Sequence, residues 1–341
     1  MDTLGILTGG GDCPGLNPVI RAAVKSALLG GWQVFGFKNG WKGMVDDEFV
    51  ALDDRAVSGI LPRGGTILGT SRTNPYKKAG DVEKLKANFK KHNLKALIVV
   101  GGEDTLGVAN KLYGEGLPIV GIPKTIDNDL SATDYTFGFD TAVNIAMECI
   151  DRLHTTAESH NRVMVVEIMG RHAGWIALEA GLAGGADMIL IPEVPVDIAE
   201  VCRVIKHRHE RGKTFSIVAV AEGATLKDGH EVADQKLDEF GHVRLGGIGQ
   251  WVGGLIEKKT GFETRVTVLG HIQRGGSPTA FDRVLGTRFG VHAVELVKKG
   301  KFGRMASLHG RHIVDVPLAD AVKQLKLVSA ELYDMAKIFF G

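Results

Sequence analysis

The residues best suited to chemistry lie in the stretch 121–129, which reads GIPKTIDND. It places a lysine, Lys124, a hydroxyl group, Thr125, and two carboxylates, Asp127 and Asp129, within six residues. One carboxylate can accept a proton while the other positions an alcohol or a Mg²⁺ ion, and the lysine supplies a point charge for an anion. In an extended segment the two aspartates would point to the same side. The pattern predicts a general base beside a bound anion.

Two glycine-rich loops indicate that this anion is a phosphate. The loop TGGGDCPGLN at 8–17 follows the apolar run 4–7 and precedes a predicted helix with Asn17 as its N-cap. The loop GGEDT at 101–105 follows the apolar run 96–100 and precedes a second predicted helix. Glycine lets phosphate oxygens approach the backbone, and the free N–H groups of a helix N-terminus bind anions. Neither loop has the spacing of a P-loop.

Further charged residues follow the other predicted strands. Glu103 and Asp104 in the second glycine loop are oxygen donors that suit Mg²⁺ accompanying a phosphate. Arg72 ends a third glycine-rich segment and could face a transferring phosphoryl group. The second half of the chain offers guanidinium groups for a fixed phosphate and hydrogen-bonding groups for a sugar: Arg171, Glu222, Arg265, His271 and Arg274. A phosphosugar and a phosphoryl donor would meet at Asp127.

Strands alternate with helices along the chain, which predicts an α/β fold with mainly parallel sheets. A length of 341 residues favours two Rossmann-like lobes, with the active site in the cleft between them. The predicted strands are 4–7, 34–37, 96–100, 117–122, 163–168, 188–191, 215–220 and 264–270. The longer predicted helices are 81–93, 106–112, 141–152, 199–211 and 281–299. The polar segment 224–246 is predicted to be an excursion from this pattern.

Composition excludes several classes of protein. A formal net charge of +1 gives no support for binding to nucleic acid or to a membrane surface. The chain has three cysteines without zinc spacing, which favours a reducing cytosol and a cytoplasmic location. The N-terminal sequence does not resemble a signal peptide. The sequence contains no apolar run of 18 residues, so no membrane span is predicted.

Together these motifs resemble the phosphofructokinase family over nearly the whole chain. The motifs that carry the resemblance are GGDCPGLN at 10–17, GGEDT at 101–105, PKTIDND at 123–129, MGR at 169–171, EG at 222–223 and GHIQRGG at 270–276. The resemblance implies phosphoryl transfer to the 1-hydroxyl of fructose 6-phosphate in glycolysis, with Mg²⁺ as cofactor. It also implies a homodimer or homotetramer with shared active sites.

The resemblance assigns a role to each candidate residue. Asp127 is implied as the general base, with Thr125, Arg72 and Arg171 as the other catalytic residues, and Glu103 as the metal ligand. The implied sugar-phosphate contacts are Thr125, Asp127, Asp129, Arg162, Met169, Gly170, Arg171, Glu222, Arg265, His271 and Arg274, of which Arg162 and Arg265 would reach the site from a neighbouring subunit. The implied donor contacts are Gly10, Gly11, Arg72, Gly102, Asp104, Thr105 and Lys124.

At two positions the sequence differs from ATP-using bacterial members of the family, and both differences bear on the identity of the phosphoryl donor. ATP-using bacterial members of the family usually have glycine where this chain has Asp104 and Lys124, whereas pyrophosphate users resemble this chain at both positions. A lysine like Lys124 also occurs in some ATP users, so Asp104 carries most of the decision. We therefore predict pyrophosphate as the donor. The alternatives are an ATP-dependent enzyme and, in a different class, a catalytically silent regulator or phosphosugar-binding protein.

The two predicted lobes divide the roles between them. Residues 1–138 and 275–325 are expected to bind the phosphoryl donor. Residues 139–274 and 326–341 are expected to bind fructose 6-phosphate.

Overall fold

The computed structural model describes residues 2–227, 233–237 and 243–341, with the backbone alone at 233–237 and 243–245. Part of the predicted excursion at 224–246 therefore lies outside the described residues. The chain forms two compact units. The first unit contains residues 1–126, 130–141 and 274–325, and the second contains 127–129, 142–273 and 326–341.

The described elements alternate as the sequence predicts. The strands are β1 (Thr3–Thr8), β2 (Gln33–Phe37), β3 (Phe49–Ala51), β4 (Leu94–Gly101), β5 (Ile119–Pro123), β6 (Val163–Ile168), β7 (Met188–Leu190), β8 (Ser216–Ala221), β9 (Ala233–Leu237), β10 (Val243–Leu245), β11 (Thr264–Val268), β12 (Arg304–His309) and β13 (His312–Pro317). The helices are α1 (Leu16–Leu29), α2 (Trp41–Asp46), α3 (Asp81–Lys91), α4 (Glu103–Gly114), α5 (Phe139–His160), α6 (Trp175–Ala183), α7 (Ile198–Glu210), α8 (Ile248–Thr260), α9 (Ala280–Lys298), α10 (Leu318–Ala321) and α11 (Ala330–Lys337). A 3₁₀ helix spans Gly270–Arg274.

The first unit is built on a seven-stranded sheet in the order β13-β12-β5-β4-β1-β2-β3. The inner strands pair in parallel, and the two edge strands β13 and β3 pair antiparallel to their neighbours. Strands β1 and β4 are almost entirely buried, which explains why they read as continuous apolar runs without polar alternation. Because β1, β4 and β5 are parallel neighbours, their carboxyl ends meet at one edge of the sheet.

The second unit is built on a four-stranded parallel sheet in the order β11-β6-β8-β7. The sheet packs against helices α7 and α8 in a core that includes Val165, Val218, Ile205 and Val252. Strands β9 and β10 form a separate antiparallel pair. The predicted α/β class with mainly parallel sheets is confirmed in both units.

Most predicted elements are confirmed within a few residues, and β6 matches its predicted bounds. The proposed N-cap of α1 is wrong. The N-cap position is held by Gly15 in the left-handed conformation, and α1 begins at Leu16. Asn17 lies in the first turn, where its amide donates to the carbonyls of Arg63 and Gly64 and accepts from the N–H of Ile67. The side chain of Asn17, which was predicted to cap α1, instead makes tertiary contacts with the segment 63–67.

No helix among the described residues combines the length and apolar character needed to span a membrane.

A buried carboxylate joins the starts of two helices in the first unit. Asp282 in the first turn of α9 accepts hydrogen bonds from the backbone N–H of Thr141, at 2.9 Å, and from its hydroxyl, at 2.6 Å. The Thr141 hydroxyl in turn accepts from the N–H of Thr279, the N-cap of α9. Burial raises the pKa of Asp282 from 3.8 to about 6, although the hydrogen bonds from Thr141 oppose the shift. The ionised carboxylate is therefore less stable in the folded protein than in the unfolded chain.

We expect Asp282→Asn to stabilise the protein above pH 6. Because the folded pKa lies above the unfolded one, the stabilisation that protonated Asp282 contributes below about pH 4 is lost as the pH rises to about 6. A shift of this size corresponds to roughly 3 kcal/mol. Asparagine keeps an acceptor for Thr141 and cannot ionise. Urea unfolding of both proteins between pH 4 and 8 should show a difference that grows with pH, and an Asn variant that is less stable at pH 8 would contradict this account.

Candidate active site

The predicted donor residues all lie in the first unit, and all of them except Arg72 follow the carboxyl ends of β1, β4 and β5. The loop after β1 is tied to the neighbouring segments, because the N–H of Gly9 donates to the carbonyl of Val100 and the N–H of Gly10 donates to that of Ser71. Gly10 has a φ of 80°, in the left-handed region that favours glycine. The structure thus brings the two glycine-rich loops of the sequence together at one sheet edge.

Lys124 connects the third strand end to this edge. Its side chain is only 3% exposed, and its ammonium donates a hydrogen bond to the carbonyl of Gly11. Its backbone N–H donates to the carbonyl of Gly101, which joins it to the second glycine loop as well. A buried ammonium that donates to the carbonyl of Gly11 forms a positive charge against the first glycine loop. The ammonium and the backbone N–H groups of the two loops could contact several oxygens of one phosphate-containing anion.

The predicted loop 101–105 is in part helical. α4 begins at Glu103, so Glu103, Asp104 and Thr105 lie in its first turn, and Gly102 holds the N-cap position in an extended conformation. The expectation that the helix starts at 106 is wrong, because the short polar residues favour the first turn of a helix as well as a loop. Glu103 is exposed, Asp104 is half-buried and Thr105 is buried. The two carboxylates therefore stand at the positive end of the α4 dipole.

Arg274 also belongs to the first unit, although the sequence assigned it to the sugar-phosphate set. Its Nη1 donates to the carbonyl of Asp12, at 3.2 Å, so its guanidinium lies against the first glycine loop. Arg72 is exposed on the segment between β3 and α3. Thr125 is 9% exposed, and its carbonyl accepts a hydrogen bond from the Thr136 hydroxyl.

Cys13 lies within the first glycine loop but is not suited to nucleophilic chemistry. The thiol is fully buried, and this burial raises its pKa to about 12. The thiol stays protonated at neutral pH and donates to the carbonyl of Phe137, at 3.7 Å.

Asp127, Asn128 and Asp129 belong to the second unit and are 3%, 2% and 8% exposed. The expectation of an extended segment is wrong, because Asn128 has a φ of 52°, in the left-handed region. The period-two argument that both carboxylates point the same way therefore does not apply. Asparagine tolerates this conformation better than most residues. The ammonium of Lys326 donates to Oδ1 of Asn128, at 2.8 Å.

The carboxyl ends of β6 and β8 bring together Met169, Gly170, Arg171 and Glu222. Oε1 of Glu222 accepts hydrogen bonds from the N–H groups of Gly170, at 3.4 Å, and Arg171, at 3.1 Å. Arg171 has a φ of 52°, which is uncommon for arginine. The carboxylate of Glu222 therefore stabilises a turn that the residue type at position 171 does not favour. A Cβ at Gly223 would lie 1.8 Å from the carbonyl oxygen of Arg171, so glycine is required there.

Arg162 and Arg265 lie at the other end of the same sheet. Arg162 directly precedes β6, and Arg265 pairs with Met164 in the register of β11 and β6. Both guanidinium groups contact the same oxygen of Glu263, Arg162 at 2.8 Å. The hydrogen bond from Arg162 lowers the pKa of Glu263. The two arginines form a pair converging on one anion, about 20 Å along β6 from the turn at Gly170.

His271 is exposed in the 3₁₀ helix that follows β11. His207 and His209 are exposed on α7.

Sequence reasoning missed three residues that support the site. Glu263 gathers Arg162 and Arg265, and its position two residues before Arg265 on an extended strand could have indicated this. Glu193 accepts hydrogen bonds from the N–H groups of Gly174 and Val328. Lys326 contacts Asn128, from which it is separated by 198 positions, and no local pattern indicates such a contact.

In the part of the chain that the structure describes, no group of three or more His, Cys, Asp or Glu side chains could hold a metal. Mg²⁺ does not require one, because it is usually bound by one or two carboxylates together with substrate phosphates and water. Glu103 and Asp104 are adjacent oxygen donors in the first turn of α4. This donor set fits Mg²⁺ bound with a phosphate.

Parallel α/β units with glycine-rich loops at the strand ends of the first unit define the general class, and comparison with known proteins defines the family. A model of the family Phosphofructokinase matches residues 3–297. The chain is 59% identical over 341 residues to the pyrophosphate–fructose 6-phosphate 1-phosphotransferase of Streptomyces coelicolor, with 99% of each chain covered. It is 53% identical over 342 residues to the ATP-dependent 6-phosphofructokinase of Mycobacterium leprae, again with 99% of each covered.

A solved structure shows the same fold. The pyrophosphate-dependent phosphofructokinase of Marinobacter aquaeolei matches with a TM-score of 0.82 at 22% identity, covering 100% of this chain and 92% of that one. The chain belongs to the phosphofructokinase family, and the family predicted from the motifs is confirmed. The chain is 59% identical to a relative named for pyrophosphate and 53% identical to one named for ATP. Because these two identities differ little, the side chains at the donor positions also bear on the choice of donor.

Proposed function

We propose that this protein is a phosphotransferase that moves a phosphoryl group from pyrophosphate to the 1-hydroxyl of fructose 6-phosphate, a step of glycolysis. The observation that carries the proposal is the donor edge of the first unit, where buried Lys124 joins two glycine loops and Asp104 stands in the first turn of α4. The name of the 59% identical relative supports the same donor. The cytoplasmic location stays a prediction.

The chemistry follows from these groups. The oxygen of the 1-hydroxyl forms a bond to one phosphorus of pyrophosphate, the bridging P–O bond breaks, and orthophosphate leaves. The hydroxyl proton passes to the carboxylate of Asp127, and fructose 1,6-bisphosphate is the product. Such transfer depends mainly on positioning and on stabilisation of charge. In the sequence, a single residue separates Asp127 from Thr125, which follows the end of β5 by two positions.

Donor selection rests on Asp104. A phosphate approaching the N-terminus of α4 meets the backbone N–H groups of its first turn, but it also meets the carboxylates of Glu103 and Asp104. Lys124 offsets that repulsion for two phosphates. A third phosphate, carrying a ribose and a base, would have to pass the half-buried Asp104 side chain. The electrostatics therefore favour the short donor. The alternative, an ATP-dependent enzyme, is supported by the 53% identical relative and requires that ATP bind despite Asp104.

Mg²⁺ would be held by Glu103 and phosphate oxygens, with Asp104 adjacent. When bound, it neutralises charge on the donor phosphates.

The sugar-phosphate set is proposed to comprise Asp127, Asp129, Met169–Arg171, Glu222 and His271 of the second unit, together with Thr125 and Arg274. Glu222 is already engaged by the N–H groups of Gly170 and Arg171, so it fixes the turn that presents the Arg171 guanidinium. Arg171 and Arg72 are proposed to stabilise the transferring group.

A homo-oligomer with shared sites is proposed because Arg162 and Arg265 lie at the far end of β6 from the turn at Gly170. A pair of guanidinium groups converging on Glu263 is suited to the 6-phosphate of a neighbouring subunit.

Subunit mixing tests this proposal. We expect that Asp127→Asn and Arg265→Ala proteins, mixed in equal amounts under conditions that exchange subunits, regain activity. Each hybrid pair then holds one intact site, so about one quarter of all sites should be wild type in a symmetric dimer. Activity no greater than the sum of the two parents would show that both residues act within one subunit.

A matched control uses Asp127→Asn mixed with Arg171→Ala. Both residues are proposed to serve the same subunit's site, so hybrids of these two proteins should regain nothing.

The function itself is tested by incubating the purified protein with fructose 6-phosphate, Mg²⁺ and pyrophosphate and following the products by ³¹P NMR. We expect fructose 1,6-bisphosphate and orthophosphate, and the reverse reaction when these are supplied, because pyrophosphate gives up less free energy than ATP. No transfer from either pyrophosphate or ATP would refute the proposal and favour a phosphosugar-binding protein.

A further inference from the structure

A short segment near the C-terminus contacts the side chain of the left-handed residue Asn128 and the backbone of the residue that follows it. The ammonium of Lys326 donates to Oδ1 of Asn128, and the backbone N–H of Lys326 donates to the carbonyl of Asp129, each at 2.8 Å. One residue thus binds the side chain of Asn128 and the main chain of the residue that follows it. All these residues belong to the second unit.

Lys326 is itself fixed to a helix. Its carbonyl accepts a hydrogen bond from Nε1 of Trp175, at 2.7 Å, and its ammonium lies 5.5 Å from the centre of a Trp175 ring. That distance is within the range of a cation–π interaction. Trp175 is the first residue of α6, so the lysine is anchored to regular secondary structure.

Glu193 completes the anchorage. Its carboxylate accepts from the N–H of Gly174, the N-cap of α6, and from the N–H of Val328. Residues 326–328, here called the 326–328 clamp, are therefore held at the start of α6 by two independent sets of hydrogen bonds. A clamp fixed in this way can transmit the rigidity of α6 to the loop 127–129.

The loop requires such support. Asparagine tolerates the left-handed region better than most residues, but the conformation still costs more than it does for glycine and persists where the surroundings hold it. Asn128 lies between the two aspartates, so its φ and ψ set the direction of Asp127 relative to Asp129. A shift of about 1 Å in a reacting group can lower a rate by roughly 100-fold.

We propose that Lys326 is a positioning residue for phosphoryl transfer, which through Asn128 holds Asp127 in the orientation needed to accept the proton of the 1-hydroxyl. This inference rests on the proposed function of Asp127. It makes Lys326 a part of catalysis that neither the sequence motifs nor the similarity to relatives assigns.

The test is steady-state kinetics of Lys326→Met, which removes the ammonium and keeps the unbranched apolar stem. We expect kcat to fall about 10- to 100-fold, with KM for fructose 6-phosphate and for the donor changed less than about threefold. Lys323→Met is the matched control, since this exposed lysine precedes Lys326 by three residues. It should keep the wild-type kcat.

A second measurement separates positioning from a general loss of structure. In the background of Asp127→Asn, the base is absent, so Lys326→Met should slow the enzyme little further. The proposal would be overturned if Lys326→Met lowered kcat by the same factor in the Asp127→Asn background as in the wild-type background. It would also be overturned if the kcat of Lys326→Met were within about twofold of that of wild type.

If Lys326→Met does not fold, Asn128→Gly carries the test, because glycine accepts the left-handed backbone and removes the side chain to which Lys326 donates. It should show the same fall in kcat, and an unchanged kcat would overturn the proposal. The comparison uses whichever donor the wild-type protein accepts. Failure of pyrophosphate as donor would therefore appear in the wild-type assay alone and remain distinct from failure of the Lys326 assignment.

Discussion

Asp127→Asn is expected to lower kcat by about 10²- to 10⁴-fold, the range for loss of a general base. Asparagine has nearly the same shape as aspartate but cannot accept the proton of the 1-hydroxyl. The position is 3% exposed, so bulk water does not readily replace the missing carboxylate. KM for fructose 6-phosphate should change far less, because the contacts proposed to bind the sugar phosphate remain. Steady-state kinetics at saturating donor measures both parameters.

Asp334→Asn serves as the control for this variant, since Asp334 is an exposed aspartate of α11 in the same unit. It should leave both parameters unchanged. An Asp127→Asn enzyme that retains more than about a tenth of the wild-type kcat would remove Asp127 from the role of general base.

Asp104→Gly is expected to raise kcat/KM for ATP more than tenfold. Two like charges about 4 Å apart repel by ~4 kcal/mol at an effective dielectric constant of 20. Lys124 and Mg²⁺ reduce this repulsion, and about half of it still corresponds to more than a tenfold change in binding. Glycine also removes the side chain that the α-phosphate and ribose would have to pass. Initial rates with ATP, at fixed fructose 6-phosphate and Mg²⁺, give the comparison.

Loss of an acidic residue from a first helical turn also weakens the helix, which requires a control. Glu83→Gly makes the corresponding change in α3, where Glu83 is exposed in the first turn. It should leave the use of both donors unchanged. An Asp104→Gly protein whose ATP use equals that of wild type would show that Asp104 does not exclude ATP.

Lys124→Gly should weaken pyrophosphate use more than any other substitution in the donor set. It removes the buried ammonium that joins Gly11 to the end of β5.

The sequence predicted most of the elements that position the site, because fully buried parallel strands read as continuous apolar runs. β6 matches its predicted bounds, and the strands ending at Pro123 and Gly101 lie where the apolar runs place them. The antiparallel pair of β12 and β13 was missed. Strand β13 is only partly buried and carries polar residues, so it gives a weak apolar signal.

The geometry inside the site was less predictable. Asn128 adopts a left-handed conformation that changes the relation between Asp127 and Asp129, and a periodic pattern cannot reveal one such residue. The contact that Lys326 makes with Asn128 depends on how the chain returns to the loop after α10. Contacts of this kind are set by tertiary packing, whereas the types of the site residues can be read locally.

The choice of phosphoryl donor is tested most directly by comparing the activity of the wild-type protein with pyrophosphate and with ATP. The purified wild-type protein should be assayed for formation of fructose 1,6-bisphosphate with pyrophosphate and with ATP, at the same concentrations of free Mg²⁺ and fructose 6-phosphate. The buried Lys124 and the carboxylate of Asp104 predict a kcat/KM for pyrophosphate at least tenfold above that for ATP. An equal or higher kcat/KM for ATP would contradict this account.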